Sequence, residues 1–208
     1  MQERKIKWNE ASGNNHPDEG SIISVEPIRN KKHIDLIKKM LADKPRDYAL
    51  FVVGINTAYR ASELLALTVG KVKHLQVGDT FIVREQKTSK KRGVTLNKAA
   101  YDALQSVLVT MPGAPDDAPI FGSRKGERAL TVSTLNRMVK EWCSIYNLPG
   151  NYGSHTLRKT WGYHQRVTFK RDLPEIMVAL GHSSQRQTLH YLCIADSEIQ
   201  DLFLQGEL

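Results

Sequence analysis

Residues 155–191 read HTLRKTWGYHQRVTFKRDLPEIMVALGHSSQRQTLHY, and this segment decides how the C-terminal half of the chain folds. The spacing of its apolar residues predicts helices over 155–167, 173–180 and 185–194, with polar breaks between them. Gly181 stands directly after the middle helix, where glycine commonly ends a helix in a left-handed conformation. The segment therefore predicts three short helices with polar side chains near their ends.

Several of these polar side chains are of types that take part in catalysis. His155 and Arg158 lie one helical turn apart and share a helix face. His182 follows Gly181, and Tyr191 comes nine residues after His182. Taken singly, a histidine is more often structural than catalytic, and a tyrosine followed by Leu-Cys-Ile is typical of a core. The combination is more specific than any one of its members.

A second polar cluster lies upstream, where residues 59–64 read YRASEL after a break between two helical patterns. Arg60 would lie near the free N–H groups of a helix N terminus, which attract anions. Glu63, one turn further on, would orient the Arg60 guanidinium. The structural alternative is a capping box with Ser62 as the helix cap, and these residues taken alone favour that alternative.

A basic segment with the sequence QKTSKKR occupies residues 86–92, between two predicted strands. Such a turn is most often a solvated loop tip, where lysines are common. The functional alternative is a mobile lysine that a flexible hairpin delivers to a phosphate. Lys87 is the first candidate for that lysine, and Lys90 is the second.

The chain as a whole predicts a mainly α fold with a small three-stranded antiparallel β-sheet. Asn30 is the predicted cap of a first helix, which ends before Pro45 and has one apolar face formed by Ile34, Ile37 and Leu41. The three strands are predicted over 72–77, 80–84 and 93–96, with a hairpin turn at Gly78-Asp79. Further helices are predicted over 46–57, from 62 onward, and over 98–109 and 133–146.

Composition narrows the class of protein. Lys plus Arg outnumber Asp plus Glu by 30 to 22, a formal charge of +8, which favours a polyanionic partner without identifying one. The N-terminal residues contain no apolar secretion signal, and no apolar run is long enough for a membrane helix. Cys143 and Cys193 form no disulfide framework or zinc-ribbon pattern, so we expect a reducing cytoplasm.

Taken together and in order, the polar clusters resemble the catalytic domain of the tyrosine recombinase, or phage integrase, family. The resemblance runs from about Pro27 to Ile194, and the C-terminal motif is its most diagnostic part. The motifs that carry it are Arg60-x-Ser-Glu-Leu, Lys87-Thr, His155-x-Leu-Arg158, Leu180-Gly-His182-Ser-Ser and Tyr191.

The resemblance implies a site-specific recombinase, of the integrase or invertase type, that acts on double-stranded DNA. In this family the tyrosine, here Tyr191, attacks a backbone phosphate and forms a covalent 3'-phosphotyrosyl intermediate, which a DNA hydroxyl later resolves. The bond energy is kept in that intermediate, so neither ATP nor a metal is required and no cofactor is expected. The resemblance also implies self-association, as a tetramer on paired DNA sites.

The residue types suit this reaction. Two guanidiniums, those of Arg60 and Arg158, would grip the scissile phosphate with charge-assisted donors, and His182 would add a third donor. A phenol has a pKa of about 10, so Tyr191 needs help to lose its proton, and His155 is the best general-base candidate. The leaving alkoxide needs a proton, which Lys87 would supply.

Two positions depart from the family pattern. Ala58-Tyr59 stands where a glycine and a small apolar residue commonly precede the arginine. Thr95 stands where many members have a proline. Neither change removes a catalytic group.

The domain organisation predicted from the sequence has three parts: an arm or linker over 1–26, a catalytic domain over 27–196, and a tail over 197–208. Most family members carry a helical DNA-clamping domain ahead of the catalytic one, and residues 1–26 are too few to form it. The chain is therefore expected to be a fragment, or to resemble the short bacterial members that invert promoter switches. The tail carries an apolar strip of Ile199, Leu202, Phe203 and Leu204. This strip would either cover the core of the same chain or dock on a neighbouring protomer.

Three other interpretations fit parts of the sequence. A type IB topoisomerase shares this chemistry but does not join two sites, and the short length and the Leu-Gly-His-Ser-Ser motif favour a recombinase. A DNA-binding regulator that kept the fold would be expected to have lost a catalytic residue, yet every expected position is filled. A metal site built from His155, His182, His190 and Cys193 is not favoured, because no pair has the spacing of a known zinc motif.

Overall fold

The computed structural model describes residues 25–84, 91–124, 126, 128–194 and 196–205. Within these ranges the chain is mainly helical, with one small antiparallel sheet. The elements, in chain order, are α1 Lys31–Leu41, α2 Pro45–Asn56, α3 Ala61–Leu65, α4 Val69–Val72, β1 Thr80–Arg84, β2 Lys91–Thr95, α5 Lys98–Leu108, α6 Val132–Ile145, α7 Thr156–Val167, α8 Leu173–Leu180, α9 Gln185–Tyr191 and α10 Asp196–Leu204.

Local signals place most of these helices where the sequence predicts them. Asn30 caps α1, since its side chain accepts a hydrogen bond from the Lys32 backbone N–H, and the apolar face of α1 is buried as expected. Gly181 ends α8 with a left-handed φ of 65°. Helix α9 is shorter than predicted and ends at Tyr191.

The predicted strand over 72–77 is wrong. Val69, Val72 and Leu75 are buried at intervals of three residues, which is the spacing of helical turns and not the alternation of a strand. Helix α4 ends at Val72, and turns follow it. The described residues therefore confirm a small antiparallel sheet but contain two strands, with Thr80 paired to Thr95 and Arg84 to Lys91.

The turn predicted at Gly78-Asp79 also has a different role. Instead of joining two strands, these residues extend the pairing of β1 with β2: the Gly78 N–H donates to the Leu96 carbonyl at 2.8 Å, and the Asp79 carbonyl accepts from the Leu96 N–H at 2.9 Å. Thr95, which replaces a proline common in the family, bonds through its hydroxyl to the Thr80 hydroxyl at 2.8 Å.

Helix α2 is the centre of the core. Its residues from Ala49 to Val53 are buried on every side, and α2 packs against α1, α5 and α7. The contact with α7 is especially close, because a Cβ placed on Gly54 would lie 2.6 Å from Leu157 Cδ1. This close packing fixes the start of α7 beside the end of α2.

A second, smaller apolar cluster holds the C-terminal helices. Ala58, Ile176, Leu180 and Leu192 are buried together, with Tyr191 packed against them. No helix among the described residues is both long enough and apolar enough to cross a membrane.

The segment after α2 contains a strained residue. Ala58 has a φ of 54°, a left-handed conformation that is costly for any residue with a Cβ. Alanine at this position therefore carries a backbone strain energy that the glycine common in the family would not have.

We expect Ala58→Gly to change the free energy of unfolding by less than about 1 kcal/mol in either direction. Relief of the left-handed strain is worth about 1–2 kcal/mol, while the lost methyl costs about 0.8 kcal/mol and the added chain freedom of glycine costs about 0.5–1 kcal/mol. Urea denaturation measures the difference. The control is Ala49→Gly in α2, where a buried methyl is lost without relief and a loss of about 1–2 kcal/mol is expected. Equal losses in both variants would contradict the role given to the Ala58 backbone.

Candidate active site

The polar clusters singled out from the sequence converge on the backbone around Ala58. Arg158, near the start of α7, donates from Nη1 to the Ala58 carbonyl at 2.5 Å and from Nη2 to the Leu180 carbonyl. The first contact joins residues that are 100 positions apart, and the second reaches the end of α8. One guanidinium thus ties together the segment before α3, the start of α7 and the Leu-Gly-His turn.

Arg60 and Glu63 form the contact that the sequence predicts. Arg60 Nη1 donates to Glu63 Oε1 at 3.0 Å, and the Arg60 backbone N–H donates to Glu63 Oε2 at 2.7 Å. The helix cap is Arg60 itself, so the alternative with Ser62 as the cap is wrong. Glu63 therefore both caps α3 and orients the guanidinium.

Burial sets the electrostatics of Arg158, whose side chain is 3% exposed. Burial lowers its pKa to about 10, the Arg92 and Arg60 charges lower it further, and Tyr191 and Glu63 oppose the shift. The group stays protonated at neutral pH. A buried cation held by carbonyl oxygens is a strong attractor for an anion that enters the site.

Tyr191 lies beside Arg158, with its ring centroid 5.7 Å from the guanidinium carbon. Its hydroxyl is buried and has no hydrogen-bond partner among the described residues. Burial raises the pKa of the phenol to about 12, against the opposing positive charges of Arg158 and Arg60. The hydroxyl is thus protonated at neutral pH and held where cations favour its ionised form.

The two histidines lie at the edges of this group. The His182 ring packs edge-on against Tyr191 with centroids 5.1 Å apart, and its Nδ1 is 3.1 Å from the Thr188 hydroxyl. His155 precedes α7 and is exposed. Desolvation lowers its pKa, and the charges of Arg158, Lys159 and Arg60 lower it further, which favours the neutral imidazole that a general base requires.

The structure thus brings together Arg60, Glu63, His155, Arg158, His182 and Tyr191 from four separate segments of the chain. Lys87 and the reserve candidate Lys90 lie outside the described residues. Among the residues that are described, no group of three or more His, Cys, Asp or Glu side chains is placed to hold a metal ion.

Sequence reasoning missed two cations at the site. Lys159 is buried, with Nζ 3.1 Å from Cys193 Sγ and 5.3 Å from the Tyr191 ring centroid, and nothing in the sequence distinguishes it from a surface lysine. Arg92 was counted with the solvated basic turn, but its side chain is only 8% exposed. The alternation of a strand could have found it, because Arg92 shares a face with the buried Val94 and Leu96.

Similar proteins identify the family of this chain. The profile of the phage integrase family matches residues 28–198. The chain is 34% identical over 173 residues to the probable integrase/recombinase YoeC of Bacillus subtilis (strain 168), covering 82% of this chain and 90% of YoeC. It is 30% identical over 161 residues to the tyrosine recombinase XerC of Caldanaerobacter subterraneus subsp. tengcongensis, covering 76% of this chain but only 44% of that protein.

Solved structures share the fold. The XerA recombinase superposes with a TM-score of 0.71 at 22% identity, over 93% of this chain and 67% of XerA. The XerH site-specific recombinase, solved in a post-cleavage complex with a palindromic difH substrate, superposes with a TM-score of 0.69 at 22% identity, over 94% of this chain and 53% of XerH. With its family profile, its relatives and its fold in agreement, this chain belongs to the phage integrase family of tyrosine recombinases.

Proposed function

We propose that this chain is the catalytic part of a site-specific DNA recombinase that cuts and rejoins strands through a 3'-phosphotyrosyl bond at Tyr191. The observation that carries the proposal is the placement of the Tyr191 hydroxyl: it is buried, it lacks a hydrogen-bond partner among the described residues, and it lies beside the Arg158 guanidinium. A buried hydroxyl without a partner costs about 1–3 kcal/mol. An oxygen of a bound phosphate would supply that partner.

The proposed reaction is an in-line transesterification. The Tyr191 oxygen bonds to phosphorus, the bond from phosphorus to the 5' oxygen of the next nucleotide breaks, and the phenolic proton goes to a base. His155 takes that proton in the proposal, since its lowered pKa keeps the imidazole neutral. Lys87 donates a proton to the leaving oxygen.

Charge on the phosphate is the main obstacle to attack, because the non-bridging oxygens gain negative charge in the transition state. Arg60 and Arg158 would bind those oxygens with forked donors, and His182 would add another donor. The formal charge of +8 suits the same partner, double-stranded DNA. The XerH complex with its difH substrate supports DNA as the ligand of this fold.

Self-association on paired sites is the second part of the proposal, and the tail supports it. Helix α10 is joined to α7 by an ion pair between Glu198 and Arg166. Three of its apolar side chains do not cover the core of this chain, since Ile199, Phe203 and Leu204 are 45%, 80% and 74% exposed. A short helix with an exposed apolar strip needs a surface to dock on, and a neighbouring protomer would provide one.

The experiment that tests the function uses a nicked suicide substrate, on which a covalent adduct accumulates. We expect the wild-type chain to form a protease-sensitive adduct, and Tyr191→Phe to form none while binding DNA within a few-fold of wild type. The matched control is Tyr146→Phe, which removes a phenol that bonds to the Leu36 carbonyl instead of lining the site.

An adduct from the Tyr191→Phe variant at the wild-type rate would refute Tyr191 as the nucleophile. No adduct from the wild type, with DNA binding intact, would make the chain a DNA-binding regulator. Relaxation of supercoils without two-site products would make it a type IB topoisomerase.

We expect Arg60→Lys and Arg158→Lys each to slow adduct formation by about 10²–10³-fold, although both keep the positive charge. Lysine cannot present two parallel donors to the phosphate oxygens, and the loss of one such donor typically has this effect. Single-turnover cleavage at saturating DNA measures the rate. Wild-type rates in both variants would make these arginines structural.

We expect deletion of residues 197–208 to leave a folded protein with weakened assembly on DNA and altered cleavage. Sedimentation with DNA measures assembly, and Phe203→Ser tests the strip alone against Phe169→Ser, a second exposed aromatic outside the tail. Unfolding of the truncated monomer would make the tail ordinary core. No change in assembly or cleavage would show that the tail is dispensable.

A further inference from the structure

Glu63 is the meeting point of three arginines. Oε1 accepts from Arg60 Nη1, while Oε2 accepts from the Arg60 backbone and from Arg92 Nη2. Arg158 Nη1 lies 4.0 Å from Oε2, which is a longer contact than the others. The carboxylate is 11% exposed, so water does little to screen these charges from one another.

Arg92 reaches this carboxylate from a different part of the fold. It projects from β2, and besides Glu63 its guanidinium donates to the Ala58 carbonyl at 3.3 Å and to the Ala179 carbonyl at 3.4 Å. The guanidinium carbon lies 5.8 Å from the centroid of the Tyr59 ring. Arg92 therefore contacts the segment before α3 and the end of α8 at once.

The Leu-Gly-His turn makes room for this side chain. A Cβ on Gly181 would lie 3.2 Å from Arg92 Cδ, closer than most such contacts. Gly181 thus serves the left-handed end of α8 and the passage of Arg92 toward Glu63.

Arg92 and Arg158 compete for the same two acceptors. Both arginines donate to the Ala58 carbonyl, and both have access to Glu63 Oε2, but Arg92 holds the shorter contact with that oxygen. Without Arg92, the unscreened carboxylate would attract the Arg158 guanidinium. Arg158 would then lose its hold on the Ala58 and Leu180 carbonyls and its place beside Tyr191.

We propose that Arg92 is a positioning residue for strand cleavage: by occupying Glu63, it sets the separation of the Arg60 and Arg158 guanidiniums that bind the phosphate. It also ties β2 to the phosphate-binding arginines, and β2 includes the last two residues of the basic segment 86–92 that carries Lys87. This inference rests on the proposed function, because it assigns Arg92 a part in that reaction.

The test compares Arg92→Met with Arg46→Met. Arg46 is a matched control, since it also bonds to an acid, Asp47, and to a backbone carbonyl, that of Gly122, but none of these contacts reaches the site. Single-turnover adduct formation is measured on a nicked substrate at saturating DNA, below the unfolding transition of each variant. Arg92→Met is expected to cleave 10- to 100-fold more slowly than wild type with DNA affinity within a few-fold, and Arg46→Met within threefold of the wild-type rate.

Two further variants separate positioning from a general loss of packing. Arg92→Lys keeps a positive charge beside Glu63 but cannot reach both the Ala58 and the Ala179 carbonyls. This variant is expected to cleave faster than Arg92→Met and more slowly than the wild type. In a Glu63→Gln background the carboxylate charge is gone, so Arg92→Met is expected to slow cleavage by a smaller factor than in the wild type. An Arg92→Met rate within threefold of wild type, or an equal factor in both backgrounds, overturns the proposal.

A second readout does not depend on cleavage. The side-chain N–H signals of Arg60 and Arg158 in ¹⁵N NMR spectra are expected to shift in Arg92→Met and not in Arg46→Met. Unchanged signals overturn the positioning role even where cleavage falls. A wild-type chain that forms no adduct overturns the proposed function instead, and the NMR comparison still decides whether Arg92 sets the positions of the two arginines.

Discussion

The close crossing of α2 and α7 is the constraint on which the site depends. A Cβ on Gly54 would lie 2.6 Å from Leu157 Cδ1 and 3.0 Å from Leu157 Cβ, so a larger residue there would displace the buried Leu157 side chain. Arg158 directly follows Leu157, and Ala58 comes just after the end of α2, so the crossing brings a guanidinium to the carbonyl it must reach. Helix α8 in turn packs against α7, and the Tyr191 helix α9 packs against α8.

The second organising feature is an excess of positive charge in a nearly buried space. Arg60, Arg92 and Arg158 share the single carboxylate of Glu63, and Lys159 Nζ lies 5.3 Å from the centroid of the Tyr191 ring. Burial of cations is unfavourable unless they are paired, and backbone carbonyls supply part of that pairing here. The remaining imbalance favours the binding of an anion, which is the property that a phosphate-cutting site needs. Of these cations, Arg158 and Arg60 stabilise the ionised form of the buried Tyr191 phenol and so oppose the rise of its pKa that burial causes.

Ala58 has a strained backbone, and its carbonyl contacts two arginines of the site. Its left-handed backbone turns its carbonyl toward both Arg92 and Arg158, and a glycine would adopt this conformation at lower cost. The chain keeps alanine there, with the methyl group buried in the cluster that holds α8 and the Tyr191 helix. The methyl thus offsets part of the strain through packing.

The sequence by itself determined the helices with clear periodicity and caps, such as α1 after Asn30 and α8 before Gly181, because these signals act over four residues or fewer. It also determined the identity of the polar residues, but the inward face of Arg92, which strand alternation could have indicated, was missed because residue 92 was assigned to the basic turn. It did not determine residues 72–77, which were predicted as a strand although the residues that are buried there, Val72 and Leu75, lie three positions apart, the spacing of a helical turn. Tertiary structure alone decided that Arg158 would bond to a carbonyl 100 residues away and that three arginines would share Glu63. Such contacts leave no local pattern, since their energy arises only when distant segments pack together and exclude water.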